Sequence, residues 1–160
     1  LKLDQKQIVK ELDFIFLISL LIIDESDNAD YFLYKFNISK KNKKRISVID
    51  KFYKEKNNLK RFTEKNMNKV FYYNGKQAVI DILNFRIIRS KKIDKNLIEL
   101  SKLYLNKLTP IMPIEADELM RKYKIPQGKQ LGVKLKLIED AWVKNNFQIS
   151  EQQVDNIVNN

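Results

Sequence analysis

All three prolines of this 160-residue chain, and two of its three glycines, fall between Pro110 and Gly132. The rest of the backbone is almost free of punctuation. The segment PIMPIEADELMRKYKIPQGKQLG is therefore where the path is most tightly dictated. Pro126 has the fixed φ that suits a helix start. Gly128 reaches conformations closed to other residues, and Gly132, lacking a Cβ, leaves room for another element to approach. Pro-x-Gly alone is also what an ordinary loop-to-helix junction contains.

The unpunctuated remainder reads as helices. The first is expected over Gln5 to Ile23, amphipathic at its start and apolar all round at its end, which belongs at the centre of a bundle. Ser26 or Asp27 caps a short helix, Ala29 to Phe36, broken at Asn37-Ile38. Ser39 is a good N-cap for KKNKKRISVIDKFYKE, in which Ile46, Ile49 and Tyr53 line one face and Lys40, Lys44 and Lys51 the opposite one. After a turn at Asn57-Asn58, Thr63 caps a helix to about Tyr73, and Asn74-Gly75 ends it. Lys76 to Arg89 is apolar through Ala78, Ile82 and Phe85. Asp94 opens a helix to Leu108 with Leu97, Leu100, Tyr104 and Leu108 at core spacing.

A short helix around Asp117 to Tyr123 precedes the Pro126–Gly132 turn. The next helix carries Leu131, Leu135, Ile138 and Trp142 on one stripe and Val133, Leu137 and Ala141 nearly opposite, which implies burial between two layers. Ser150 opens a capping box, Ser-Glu-Gln-Gln, for a tail helix. No stretch alternates in the manner of a strand, and nothing repeats at a fixed period. The expectation is an all-α, irregular bundle of about eight helices, with a helical body at 1–108 and tail helices at 109–160.

Composition narrows the function classes. Hydrophobic residues make up 44%, enough for a real core in one domain or two small helical subdomains. Lys+Arg number 31 against 20 Asp+Glu, a net +11 that favours a polyanionic partner. Abundant Lys, Asn and Ile beside scarce Arg are also what AT-rich coding produces. With no cysteine and no histidine, disulfides, thiolate chemistry, Cys/His zinc sites and histidine acid–base catalysis are excluded. A cytoplasmic location fits. The run Phe14 to Ile23 rises roughly 15 Å as a helix, half a bilayer core, and reads as buried helix rather than membrane span. Asp4, Glu11 and Asp13 before it argue against a signal peptide. Leu1 in place of Met suggests a fragment or a processed chain.

No catalytic constellation stands out. Asp24, Glu25, Asp27 and Asp30 lack the glycine and ligand spacing of a calcium loop and read as caps and solvated turn. Glu115, Asp117 and Glu118 sit in the first turn of a helix, where acids are favoured anyway. Asp140 reads as a partner for Lys136 one turn back. Phosphate-binding glycine loops are missing, and no metal site is expected. The basic residues are more informative. Lys40, Lys41, Lys43, Lys44 and Arg45 crowd the first turns after Ser39, where cations oppose the helix dipole. That arrangement suits a docked anion met by free N–H groups and lysines together, or else is a solvated charge face. Arg86 and Arg89, near a helix end, serve either as dipole-favoured C-terminal charges or as ligand contacts.

Three stretches resemble one family. Pro113, Asp117-Glu118-Leu119, Pro126-Gln127-Gly128-Lys129-Gln130-Leu131-Gly132, Glu139-Asp140-Ala141-Trp142 and Asn146-Phe147 are similar to the C-terminal segment of bacterial CCA-adding enzymes. These are tRNA nucleotidyltransferases of the poly(A) polymerase superfamily, and the likeness is to those of α-proteobacterial type. Phe36 to Arg45 resembles that family's Leu-Ser-Asn-x-x-(Lys/Arg)-x-(Lys/Arg) helix start. Tyr72-Tyr73-Asn74-Gly75-Lys76-Gln77-Ala78-Val79-Ile80-Asp81 resembles its Tyr-x-x-Gly-x-x-Ala-x-x-Asp step. Where the family has Gly before its Asp-Leu pair, this chain has Glu115-Ala116-Asp117-Glu118. The family's catalytic head, with Gly-Ser and Asp-x-Asp, has no counterpart. Nor does the Glu-Asp-x-x-Arg neck motif, since Glu139-Asp140 is followed by Val143 where the arginine belongs.

The resemblance therefore implies the helical body and tail, which in that family hold the tRNA elbow and acceptor stem. Magnesium with ATP and CTP belongs to the absent head, and no cofactor is expected here. The expected partner is tRNA, joined by a separately encoded head-and-neck half if the chain is a split-gene product rather than a fragment. Expected contacts are Lys40, Lys41, Lys43, Lys44, Arg45 and Lys129, together with Arg86 and Arg89, around the structural turn Pro126, Gly128 and Gly132. Two rival readings remain: a degenerate or repurposed basic helical interaction module without RNA function, and peripheral membrane contact through Phe14–Ile23.

Overall fold

A computed structural model describes residues 13–55, 59–92 and 94–159. Residues 5–12 of the expected first helix and the Asn57-Asn58 turn lie outside them. Among the described residues the fold is all-helical, without a strand. The helices are α1 (Phe14–Ile22), α2 (Asn28–Lys35), α3 (Lys40–Lys54), α4 (Glu64–Asn74), α5 (Lys76–Arg89), α6 (Lys95–Asn106), α7 (Ala116–Tyr123), α8 (Lys129–Lys144) and α9 (Glu151–Asn159). A 3₁₀ turn, Leu59–Phe62, leads into α4.

Local chemistry sets the helix starts. Ser39, Thr63 and Asp94 accept from the backbone N–H of Asn42, Asn66 and Asn96. Ser150 and Gln153 close the capping box reciprocally, at 3.0 and 3.3 Å. Gly75, at φ +85°, ends α4 and opens α5 in one residue, a corner that side-chain-bearing residues adopt only under strain.

The centre of the body is α5, packed against α3, α4 and α6. Seven of its side chains are buried: Ala78, Val79, Asp81, Ile82, Leu83, Phe85 and Ile87. The expectation that the first helix holds this place is overturned. Helix α1 buries Phe16 and Ser19 but exposes Phe14, Leu17 and Leu21, the last 82% exposed. An apolar surface all round does not give a helix a central place when, among the described residues, only one side meets a neighbour. In α6 the buried set is Leu97, Ser101 and Tyr104, and Leu108 lies beyond the helix end, 86% exposed.

The tail has its own apolar cluster, Leu119, Ile125, Leu131, Ile138 and Val154. Helix α8 buries the Leu131–Ile138–Trp142 stripe. Its opposite face, Val133 and Leu137, is half exposed rather than sandwiched between layers. Pro126 lies ahead of the helix, which opens at Lys129 after a turn through Gly128 at φ +152°. Gly132 is exposed, and a Cβ there would meet nothing within 4 Å, so no element exploits the missing side chain.

Tail and body meet along α4 and α8. The Trp142 ring packs edge-on to Tyr72 (5.3 Å) and against Phe147 (5.0 Å). Asn146 and Phe147 have φ of +56° and +65°. Asn tolerates this region; Phe does so only because ring packing over-determines it. Asn68, fully buried, accepts from the Tyr104 hydroxyl (2.7 Å) and Lys107 Nζ (2.8 Å) and donates to Asn146 (3.1 Å), joining α4, α6 and the end of α8.

Further along the seam, the Tyr72 hydroxyl donates to Glu139 (2.8 Å) and that of Tyr73 to Asp140 (2.7 Å). Lys136 Nζ donates to Glu139 at 2.6 Å and lies 3.3 Å from Asp140. Lys136 holds Glu139 below its ordinary 4.5; partial burial opposes this and Tyr72 assists. The Tyr73 hydroxyl lowers Asp140 from 3.8, again against partial burial, with Lys136 assisting. Burial, then the bond to Glu139, pushes Tyr72 up to about 12.

Depressed carboxylates contribute stability above their unfolded pKa and lose it as pH falls through the folded one. Stability should thus decline as pH falls below about 4, and thermal unfolding between about pH 5 and pH 3 should show a slope that E139Q/D140N flattens. An identical slope in that variant would mean the seam charges contribute nothing.

Candidate nucleic-acid interface

The basic run after Ser39 divides in the fold. Lys40, Lys41 and Lys44 are exposed and Lys43 is half-buried. None of these four ammonium groups has an ion pair or hydrogen bond among the described residues. The first turn of α3 carries no acid to offset them. Asn42 N–H is taken by Ser39, and Lys43 N–H returns to the Ser39 carbonyl at 2.9 Å. The first two N–H groups, of Lys40 and Lys41, are the open donors a helix start presents to an anion.

Arg45 turns inward instead. Its guanidinium forks onto Asp81 of α5, Nε to Oδ2 at 2.5 Å and Nη2 to Oδ1 at 2.8 Å. Its remaining nitrogen meets Asp13 at 2.6 Å. Gln77 also donates to Asp81 (2.9 Å), whose side chain is 2% exposed. Partial burial raises the Asp13 pKa, and the Phe16 N–H and Arg45 more than offset this, leaving it below its usual range. Arg45 thus locks the lysine-bearing end of α3 to the bundle's central helix and presents no free charge.

Below Lys44 the surface sinks into a groove of about 370 Å³ between α3, α4 and α5. Lys44, Ser47 and Lys51 stand along its α3 side, over Val48, Phe52, Val70 and Ile82, with Asn74 at the α4 end. Lys44 and Lys51 are two turns apart, so they share a helix face. The i, i+7 spacing was the sequence signal for this edge. The anchor Asp81 had its own signal, a lone carboxylate between Ile80 and Ile82 on an apolar helix.

The other basic candidates are dispersed. Arg89 donates to the Leu20 carbonyl at the end of α1 (3.1 Å) and lies over the Phe85 ring (4.5 Å). Arg86 is exposed and lines a separate hollow with Tyr53, Arg61 and Asp94. Helices α3 and α5 run the same way, Arg45 meeting Asp81 and Tyr53 meeting Phe85, so these arginines lie at the far end of α3. At about 1.5 Å per residue that is roughly 20 Å from Lys40. Lys129 is the exposed first residue of α8 and has no ion pair among the described residues. The fold brings the four α3 lysines together and leaves Arg86, Arg89 and Lys129 apart from them.

The acidic candidates serve locally. Asp24 accepts from Ser26 and Asn28, while Asp30 and Asp50 converge on Lys54 at 2.7 and 3.0 Å. Among the described residues no three acidic side chains gather as metal ligands, and no helix is long and apolar enough to cross a membrane. Comparison with protein-family models, curated proteins and solved structures returned no match.

Proposed function

We propose that this chain is the RNA-gripping helical portion of a cytoplasmic tRNA nucleotidyltransferase of the CCA-adding type. These residues carry no catalytic site and work with a head-and-neck half, to which magnesium and the nucleotides belong. The observation that carries the reading is that the three family-like stretches engage one another through side chains. Arg45 of the first stretch holds Asp81 of the second. Tyr72 of the second meets Glu139, Trp142 and Phe147 of the third. Stretches separate in sequence thus form one connected scaffold behind the α3 lysines.

The scaffold suits a grip on phosphates rather than base reading. Folded RNA is held largely through backbone and shape, which calls for unpaired cations on a rigid support. Filter binding of the full chain to tRNA across a salt series provides the test. Affinity should drop steeply between low and physiological salt, with a log–log slope of about −3 to −4 if four phosphates are met. A flat or absent signal would overturn the proposal and leave the repurposed-module reading. Should the chain alone add C or A to tRNA with magnesium, the assignment of catalysis to a head-and-neck half outside these residues fails.

A further inference from the structure

The groove between α3, α4 and α5 offers more than charge. Its floor is apolar, with Val48 and Phe52 from α3, Val70 from α4 and Ile82 from α5. Two neutral polar side chains also line it: Ser47, half-buried, and Asn74, exposed at the last position of α4. Neither has a side-chain hydrogen bond among the described residues. Lys44 and Lys51 on the α3 rim are exposed and without an ion pair among the described residues.

Charge and size say what fits there. Lys44 follows Lys40 by one turn on the same side of α3, so the groove opens directly off the lysine cluster. Glu55, the one carboxylate lining it among the described residues, stands past the other end of α3, roughly 16 Å from Lys44 by helix rise. The volume of about 370 Å³ lies near the lower end of the roughly 300–1,000 Å³ of small-ligand sites. A docked helix, about 10 Å across and anchored over several turns, asks for a longer floor than four side chains. An acyl chain would cover the floor and leave Ser47 and Asn74 without partners. A nucleotide base answers all three features: an apolar face for the floor, an edge of donors and acceptors for the hydroxyl and amide, and a phosphate for Lys44. A duplex hides the faces in its own stack and meets only the rim lysines.

We propose that this groove takes one unpaired nucleotide of the bound RNA, its base on the apolar floor and its phosphate at Lys44. The inference rests on the RNA-grip reading and names the part of the RNA that reaches beyond the lysines. Fluorescence anisotropy of the full chain with a short oligoadenylate and with a blunt RNA duplex tests it. Ser47→Phe fills the groove and leaves every lysine in place. It should weaken oligoadenylate binding about tenfold and duplex binding less than about twofold. Asn74→Ala, at an exposed position, should cost about fivefold on the oligoadenylate and again spare the duplex. It keeps the test decisive should Ser47→Phe melt early.

Equal losses on both RNAs, or no loss on oligoadenylate while tRNA still binds with a steep salt slope, would overturn the nucleotide site and leave the grip standing. Binding of neither RNA by the parent chain would overturn both. A parent that sediments as a dimer, made monomeric by Ser47→Phe, would show that a second copy fills the groove and would overturn the nucleotide site.

Discussion

A variant with Lys40, Lys41, Lys43 and Lys44 all changed to glutamine should bind tRNA on the order of a hundredfold more weakly at moderate salt, and yet be more stable than its parent. The two effects come from one cause. Each unpaired lysine that meets a phosphate releases a counterion, so losing four flattens the log–log salt slope by about 3 to 4. The same lysines sit at the positive end of the α3 dipole with no acid in the first turn. Removing the two nearest charges, at Lys40 and Lys41, should raise stability by about 1 kcal/mol in all. Ser39 remains as cap, so the helix start is kept. Filter binding across a salt series and chemical denaturation read the two halves separately. Unchanged affinity would move the grip elsewhere on the surface, and a joint loss of affinity and stability would mean that the lysines support the fold.

Asp81→Asn should cost about 3 kcal/mol, a drop of roughly 10 °C in melting temperature for a chain of this size. The carboxylate is buried and receives two bonds from Arg45 and one from Gln77. Without its charge, the Arg45 guanidinium, only 17% exposed, retains Asp13 alone, whose side chain is half in solvent. Asp13→Asn removes only that exposed pair and should cost less than about 1 kcal/mol. Replacing Arg45 by Met and Asp81 by Leu together should recover much of the loss, because the main penalty in the single variant is a stranded buried charge. Denaturation midpoints of the three variants decide the matter. Equal costs for Asp81→Asn and Asp13→Asn would show that the fork on Asp81 is no stronger than a surface pair.

The fold was legible wherever a decision is taken within a few residues. Ser39, Thr63, Asp94 and Ser150 cap the helices expected of them, and Gly75 turns the α4–α5 corner, because cap and turn geometry depend on side chains three or four positions away. Asp140 meets Lys136 one turn back for the same reason. The candidate interface was legible in its lysines, and Asp81 stood out as a lone carboxylate on an apolar helix, but the pairing that supports the interface was not legible. Nothing near Arg45 distinguishes it from the four lysines before it. Its partner Asp81 is 36 residues away, and only the crossing of α3 with α5 brings the two together.

The chain by itself thus determined the helical class, most helix starts, and the run of cations that no neighbouring acid offsets. Only the tertiary structure decided which apolar faces are covered. FIFLISLLI, Val133 with Leu137, and Leu108 all carry core-like residues, yet each leaves part of them in solvent. Burial is a competition among many apolar faces for an interior that a chain of this size keeps small. The winners are those that meet a complementary neighbour, as α5 does on three sides. The same assembly turned Arg45 into an anchor and left Tyr31 and Tyr34 facing outward.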